Sequence, residues 1–292
     1  MIKKFLQYSL FFIFLLQPTS YAIIFESNRL EDVYNYIDKD SIVVFDIDHT
    51  MATVSMEIEP WIYHETARLE KKGLNHKEAF EFVLAMFHIL TELTKLIPIG
   101  SSPQIVKTLQ KEGICVIALT NRSIPVIEKT VRQLKEIGID LSKNSFADHD
   151  LEIPVTYMGR FSRGIIFTGY NDKGKMLFTF LKKIGYQPKK IIFIDDNMIH
   201  VKSVEKAAKE NNTQFVGIRF SLMDKMKKDF DLTKAEKNID TLKIKLGINP
   251  LAPTTLEKKH KENIGWCQLI KDIFDAIILY SKKVFNFLVF AS

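Results

Sequence analysis

Four short runs of Ile, Val and Phe constrain the fold of this chain more than any other feature: Ile42 to Phe45, Ile114 to Leu119, Ile191 to Ile194 and Phe215 to Phe220. None alternates polar with apolar residues, so each reads as a strand buried on both faces. Segments with helical periodicity lie between them. The first, SSPQIVKTLQKEG, takes Ser102 as its cap, Pro103 in its first turn and Gly113 as its stop. Pro125 to Ile137 ends at Gly138 and Lys173 to Ile184 ends at Gly185 in the same way. Strands alternating with helices predict an α/β fold: a doubly wound parallel sheet with right-handed crossovers.

One crossover is too long. From Thr50 to Gly113 the chain spends more than sixty residues, where a strand–helix–strand link needs about a dozen. The surplus holds two further helical patterns, roughly 60 to 72 and 76 to 96, and is expected to form a small helical cap over the crevice at the sheet's carboxyl edge. Within it Phe80, Val83, Leu84, Phe87 and Leu90 fall at helical spacing as a packing face, while Trp61, Tyr63 and His64 are candidates to line a pocket. The stretch IPVTYMGRFSRGIIFTG places two alternating runs around a glycine-containing turn and predicts a hairpin or bent strand pair.

The N-terminus stands apart. Lys3 and Lys4 precede the apolar run FLQYSLFFIFLL and the small-residue end Ser20-Tyr21-Ala22, the three regions of an export signal cleaved after Ala22, with an uncleaved N-terminal anchor as the alternative. Residues 1–22 are therefore assigned to a signal peptide, 23–51 and 99–225 to the core, 52–98 to the cap and 226–292 to a C-terminal helical extension. Without the two lysines the formal charge falls from +6 to +4, spread among mixed signs, which excludes a dedicated nucleic-acid binder. Of the two cysteines, Cys115 sits in a core run and Cys267 in the tail, and no disulfide between them is expected. The tail's KDIFDAIILYSKKVFNFLVF is strongly apolar, but Lys282 and Lys283 in its middle make it a poor membrane span. It is a candidate for a membrane surface, for a protein partner, or for packing back onto the domain.

In an open α/β sheet, ligands bind at the carboxyl ends of the strands. Asp46, Asp48 and Thr50 follow the first run; Thr120, Asn121, Arg122 and Ser123 follow the second; Asp195, Asp196 and Asn197 follow the third; Lys173 opens a preceding helix. Crowded carboxylates cannot all stay ionised without a cation, and an all-oxygen donor set without a His/Cys cluster points to Mg2+. Carboxylates, hydroxyls, a lysine and helix N-termini together suit a phosphoryl group. Asn197 reads as a helix cap, His49 as a local hydrogen bonder, and Lys175 as a second candidate for the phosphate-facing lysine.

FDIDHT, ALTNRS, DKGKML and FIDDN, in that order, resemble the four motifs of the haloacid-dehalogenase (HAD) superfamily of phosphohydrolases, over residues 41 to about 220. The Thr-Asn-Arg form of the second motif and the export signal are similar to those of secreted acid phosphatases, and the layout looks closest to an uncharacterised group of exported bacterial HAD-like proteins. The resemblance implies that Asp46 is the nucleophile and a Mg2+ ligand, and that Asp48 is the acid/base, with its main-chain carbonyl on the metal. It also implies that Thr120, Asn121 and Lys173 hold the phosphate, while Asp195 and Asp196 complete the metal site. An acid/base of this kind works best with a raised pKa.

The expected function is an exported, periplasmic or secreted, Mg2+-dependent phosphomonoesterase acting on a small phosphorylated substrate through a phospho-aspartate. Transfer to an alcohol in place of water is a variant of the same chemistry. The rival reading is an inactive HAD-like interaction protein that binds a membrane or partner through its apolar tail.

Overall fold

The computed structural model describes residues 21–54, 58, 60–90, 94–143, 146, 147, 149–169 and 171–245. The expected signal peptide, apart from Tyr21 and Ala22, and the expected apolar tail lie outside the described residues, as does Cys267. The described residues divide into two compact units, one from residues 21–53 and 98–223 and one from residues 54–97 and 224–245.

The first unit is built on an eight-stranded sheet. Its strands are β1 (Ala22–Ser27), β2 (Ser41–Phe45), β5 (Cys115–Thr120), β6 (Leu151–Pro154), β7 (Met158–Ser162), β8 (Ile165–Phe167), β9 (Lys190–Asp195) and β10 (Gln214–Phe220), in the order β1-β10-β9-β2-β5-β8-β7-β6. Neighbours from β1 to β8 run parallel; β7 and β6 complete the sheet antiparallel. The order reverses between β2 and β9: the chain moves outward from β2 through β5 to β8, then returns to the other side of β2. That reversal is where an α/β sheet opens a crevice.

Successive strand side chains point to opposite faces. On one face Ile42, Val44, Ile117, Leu119, Ile191, Phe193 and Phe215 pack with Met176, Leu177 and Phe180 of helix α5 (Lys173–Lys183) and Val201 and Val204 of helix α6 (Met198–Glu210). The alternate residues Val43, Phe45, Val116, Ala118, Ile192 and Ile194 are equally buried. Helix α3 (Ser102–Lys111) packs on β5, and α4 (Ile127–Glu136) follows β5 in the chain. This double burial is why the runs read as apolar stretches, broken only at Arg219 in the fourth.

Two parts of the sheet differ from expectation. β1 extends the parallel array beside β10 although its six residues carry no helix-and-turn punctuation before them. The predicted hairpin is three strands, with β8 leaving the turn at Arg163 (φ 49°) and Gly164 (φ 81°) to run parallel to β5. At three residues, β8 is too short to announce itself by periodicity. Ser102, expected as a cap, instead lies inside α3, buried, with its hydroxyl donating to the Met51 carbonyl at 2.7 Å. Burial pushes the Cys115 thiol up to about 12.

The second unit gathers helices α1 (Trp61–Glu70) and α2 (His76–Leu90) with α7 (Asp224–Lys228) and α8 (Leu232–Lys245). α1 and α2 pack on each other, and α8 packs on both through Ala235, Ile239 and Leu242, a stripe at helical spacing. Trp61, Ile62, Leu69, Val83, Phe87 and Leu90 are buried in the same unit, and His64 stacks on Phe230 at 5.5 Å between ring centroids. Tyr63 is exposed. The first part of the C-terminal extension thus completes the inserted helices in one unit. The short strands β3 (Ala52–Val54) and β4 (Leu96–Pro98) pair where the chain leaves and rejoins the first unit. Among the described residues no helix is long and apolar enough to cross a membrane.

Candidate active site

Several ionisable groups converge at the sheet's reversal point. Asp46 follows β2 directly and its N–H continues the ladder to the Ile194 carbonyl of β9 at 2.8 Å, while Asp195 is the last residue of β9. Adjacent parallel strands therefore bring the two carboxylates together. Lys173, first residue of α5, joins them, with its Nζ 2.6 Å from Asp46 Oδ1 and 2.7 Å from Asp195 Oδ2. All three residues are 5% exposed or less.

The local sequence fixes that lysine. Asp172 caps α5 by accepting from the Lys175 N–H at 2.8 Å, and Ser203 of α6 donates its hydroxyl to Asp172 at 2.6 Å and accepts from the Gly174 N–H at 2.9 Å. A Cβ on Gly174 would stand 2.2 Å from the Ser203 carbonyl oxygen, so only glycine allows this approach of α5 to α6. The result directs Lys173 inward; Lys175 supplies a main-chain contact to the cap instead.

Asp46, Asp195 and Asp196 each offer one oxygen within 4.8 Å of the others. Lys173 bridges two of these three carboxylates, Asp46 and Asp195. Burial pushes the Asp46 carboxyl well up, against the pull of Lys173, and Asp195, Asp196 and Asp48 push it further. Asp195 is raised as well, chiefly by burial. Burial works against the charged Lys173, but Asp195 and Asp46 outweigh it and raise its pKa. An all-oxygen, charge-deficient donor set fits Mg2+ or another hard divalent cation.

Asp48 faces a different environment. Burial would raise its carboxyl, but Arg122 outweighs burial and holds it below the ordinary range. The guanidinium meets it as a fork, Nε at 2.9 Å from Oδ2 and Nη2 at 2.6 Å from Oδ1. The arginine thus works against the raised pKa that the expected acid/base role favours, and the carboxylate lies outside the three-oxygen group. Just past Asp48 the turn is tight: His49 adopts φ 61°, and its Nδ1 lies 3.9 Å from Asp196 Oδ2.

Thr50 spans the site, donating to Asp46 Oδ2 at 3.3 Å and accepting from the Asp196 N–H at 3.2 Å. Thr120, fully buried at the end of β5, accepts from the Arg122 N–H at 3.2 Å. The Asn121 amide lies 3.2 Å from His200 Nε2, and its oxygen accepts from the Thr168 hydroxyl at 2.7 Å. Asn197 caps α6 by accepting from the Ile199 N–H, and its own N–H donates to Asp195 Oδ1 at 2.8 Å. Burial, with Lys173 nearby, lowers the pKa of His200.

Arg122, Thr168 and His200 had no role assigned from sequence. Arg122 stood inside a quoted motif, and His200 lies one helical turn past Asn197, a spacing that could have marked it. Thr168 carried no signal.

Residues 26–249 match a family described as "Protein of unknown function (DUF2608)". The chain is 24% identical over 224 residues to a putative outer membrane protein of Chlamydia pneumoniae, covering 74% of this chain and 84% of that one. It resembles the crystal structure of a HAD-superfamily hydrolase from Ehrlichia chaffeensis (12% identity, TM-score 0.38, 62% of this chain and 87% of that one). It also resembles that of a class C acid phosphatase from Bacillus anthracis (13% identity, TM-score 0.33, 71% and 81%).

Proposed function

The chain belongs to the DUF2608 family, whose description names no activity, and we propose from the site itself that it is an exported, Mg2+-dependent phosphohydrolase acting on small phosphomonoesters through a phospho-aspartate. One observation carries the reading: a buried nucleophile candidate, Asp46, shares a cation and a group of metal-capable carboxylates with Asp195 and Asp196, and a second carboxylate follows two residues later. The order of the four motifs quoted above supports the same assignment.

In this reading an Asp46 oxygen attacks phosphorus while the bond to the leaving oxygen breaks and that oxygen takes a proton from Asp48, which must first gain one from solvent against the pull of Arg122. Asp48, now a carboxylate, then removes a proton from water, whose oxygen attacks phosphorus and expels Asp46. Lys173, Thr120 and Asn121 orient the phosphoryl oxygens. Asp46, Asp195, Asp196 and the Asp48 carbonyl would hold the divalent cation, which when bound neutralises phosphoryl charge. Asp48, paired to Arg122, stands ready as the base of the second step. The burial of Asp46, Asp195 and Lys173 favours a small phosphoryl-bearing substrate over a polymer. Export is supported by the signal-like residues 1–22 and by the name of the chlamydial relative.

The test is phosphate release by the purified chain from a panel of small phosphomonoesters between acid and neutral pH, with Mg2+ or with chelator. Turnover that needs the metal supports the reading; a folded, Mg2+-loaded protein inert on every ester contradicts it.

A further inference from the structure

Asn121 is held from two sides by residues of other elements. Its side-chain oxygen accepts from the Thr168 hydroxyl at 2.7 Å, and its amide nitrogen lies 3.2 Å from His200 Nε2. The first distance is that of an O–H···O bond, which sets the amide with its oxygen toward Thr168 and its NH2 toward the imidazole. His200 therefore accepts at Nε2 and carries its own hydrogen on Nδ1, as the neutral ring does. Burial, then Lys173, lowers its pKa and favours that form, although Asp195, Asp196 and Asp172 pull the other way.

The three residues come from three elements of one unit. Asn121 follows β5, Thr168 follows β8, and His200 stands in the first turn of α6. Thr168 is fully buried, and its N–H donates to the Thr120 carbonyl at 2.9 Å, continuing the ladder between β8 and β5. The buried Asn171 amide donates in turn to the Thr168 carbonyl at 2.6 Å and to the Tyr157 carbonyl at 2.9 Å. The anchor is thus rigid, yet Asn121 itself is exposed, and its second amide hydrogen has no partner among the described residues. Holding an exposed side chain in one rotamer costs entropy. What it secures is a donor of fixed direction at a strand's carboxyl end, where ligands bind.

We propose that His200, with Thr168, is the positioning residue of Asn121: the pair fixes the amide so that its remaining N–H meets an oxygen of the phosphoryl group, and His200 itself does not touch the substrate. The inference takes its ligand from the phosphohydrolase reading. A flipped amide would present its carbonyl oxygen, which repels a phosphoryl oxygen, so the two anchors decide between attraction and repulsion at one place. A bond made alike to the bound ester and to the transition state acts on KM and leaves kcat nearly alone.

The experiment uses the full chain with Mg2+ present. It measures the Kd of inorganic phosphate and of Mg2+ by calorimetry, and kcat and KM for 4-nitrophenyl phosphate, in wild type, His200→Ala, His200→Gln, Asn121→Ala and the double variant His200→Ala with Asn121→Ala. His200→Ala is expected to weaken phosphate binding and raise KM about tenfold, the scale of one hydrogen bond to a charged group, with kcat within about threefold. His200→Gln, whose amide oxygen accepts in place of Nε2, is expected to return both to within about threefold of wild type. The double variant should bind phosphate no more weakly than Asn121→Ala alone, since His200 acts only through that amide.

Additive losses in the double variant, or a fall in kcat with KM unchanged, overturn the proposal. So does an Mg2+ affinity that weakens in step with phosphate affinity in His200→Ala, which would place the action of His200 on the carboxylates. Should His200→Ala not fold, Thr168→Val replaces it in the same cycle with Asn121→Ala, and the same outcomes support or overturn the proposal. A wild type that binds phosphate but hydrolyses no ester removes the phosphohydrolase reading and leaves phosphate affinities to decide the inference. An active wild type beside an unaffected His200→Ala removes only the inference, and a wild type that neither binds nor turns over removes both.

Discussion

Asp46 and Asp48 stand two residues apart on one turn, yet the groups around them differ in sign. Toward β9, Asp46 meets two more carboxylates and Lys173, and its pKa is raised, chiefly by burial. Toward β5, Asp48 meets an arginine fork, and its pKa is lowered despite burial. Since the residue type is the same, the difference comes from strand order: β2 has one neighbour ending in Asp-Asp and another ending in Thr-Asn-Arg. A doubly wound sheet can thereby give two adjacent carboxylates separate tasks.

The contrast can be broken most severely at Lys173. Lys173→Met leaves Asp46 and Asp195 buried without their shared cation and is expected to cost about 3–5 kcal/mol, read from the urea midpoint. A smaller loss would mean that the carboxylates already share protons or a metal in its absence. Next comes metal addition: Mg2+ at about 100 times its Kd should stabilise the wild type by about 2.7 kcal/mol. Asp195→Asn should reduce that shift strongly, and Arg122→Lys, on the other side of β2, should not.

The pH dependence of the metal-free chain sharpens the comparison further, because the two aspartates act with opposite sign. Asp46, raised when folded, contributes stability that is lost as pH climbs from about 4 through its folded pKa. Asp48, lowered when folded, contributes stability present above about 4 and lost as pH falls through its folded pKa. Stability profiles of Asp46→Asn and Asp48→Asn should therefore flatten on opposite flanks, and flattening on the same flank would deny the contrast. The smallest effect is expected for Thr50→Val, which removes the hydroxyl between Asp46 and the Asp196 N–H and should cost about 1–2 kcal/mol in the urea midpoint.

Legibility in the sequence follows the range of the interactions. β2, β5, β9 and β10 could be read because burial on both faces leaves apolar runs, interrupted only by Arg219 in β10, and the strand-end residues Asp46, Thr120 and Asp195 followed from the sheet rule alone. Gly113 and Gly185 marked their helix ends and adopt φ 77° and 67°. β1 and β8 escaped because an edge strand and a three-residue strand carry too few residues for a pattern. The pairing of Arg122 with Asp48 spans 74 residues, and no local spacing encodes it. Nor could the union of residues 224–245 with the inserted helices be read, since the apolar stripe of α8 shows that it packs without showing on what.

The most direct measurement is Mg2+-dependent phosphate release by wild type and Asp46→Asn, with urea midpoints recorded in parallel. The account predicts a variant at least as stable as wild type near neutral pH, since one of the crowded carboxylates is gone, with turnover lower by about 1,000-fold or more, as loss of a covalent nucleophile entails. Turnover within about tenfold of wild type in a folded Asp46→Asn protein would contradict the assignment of Asp46 as the reacting group.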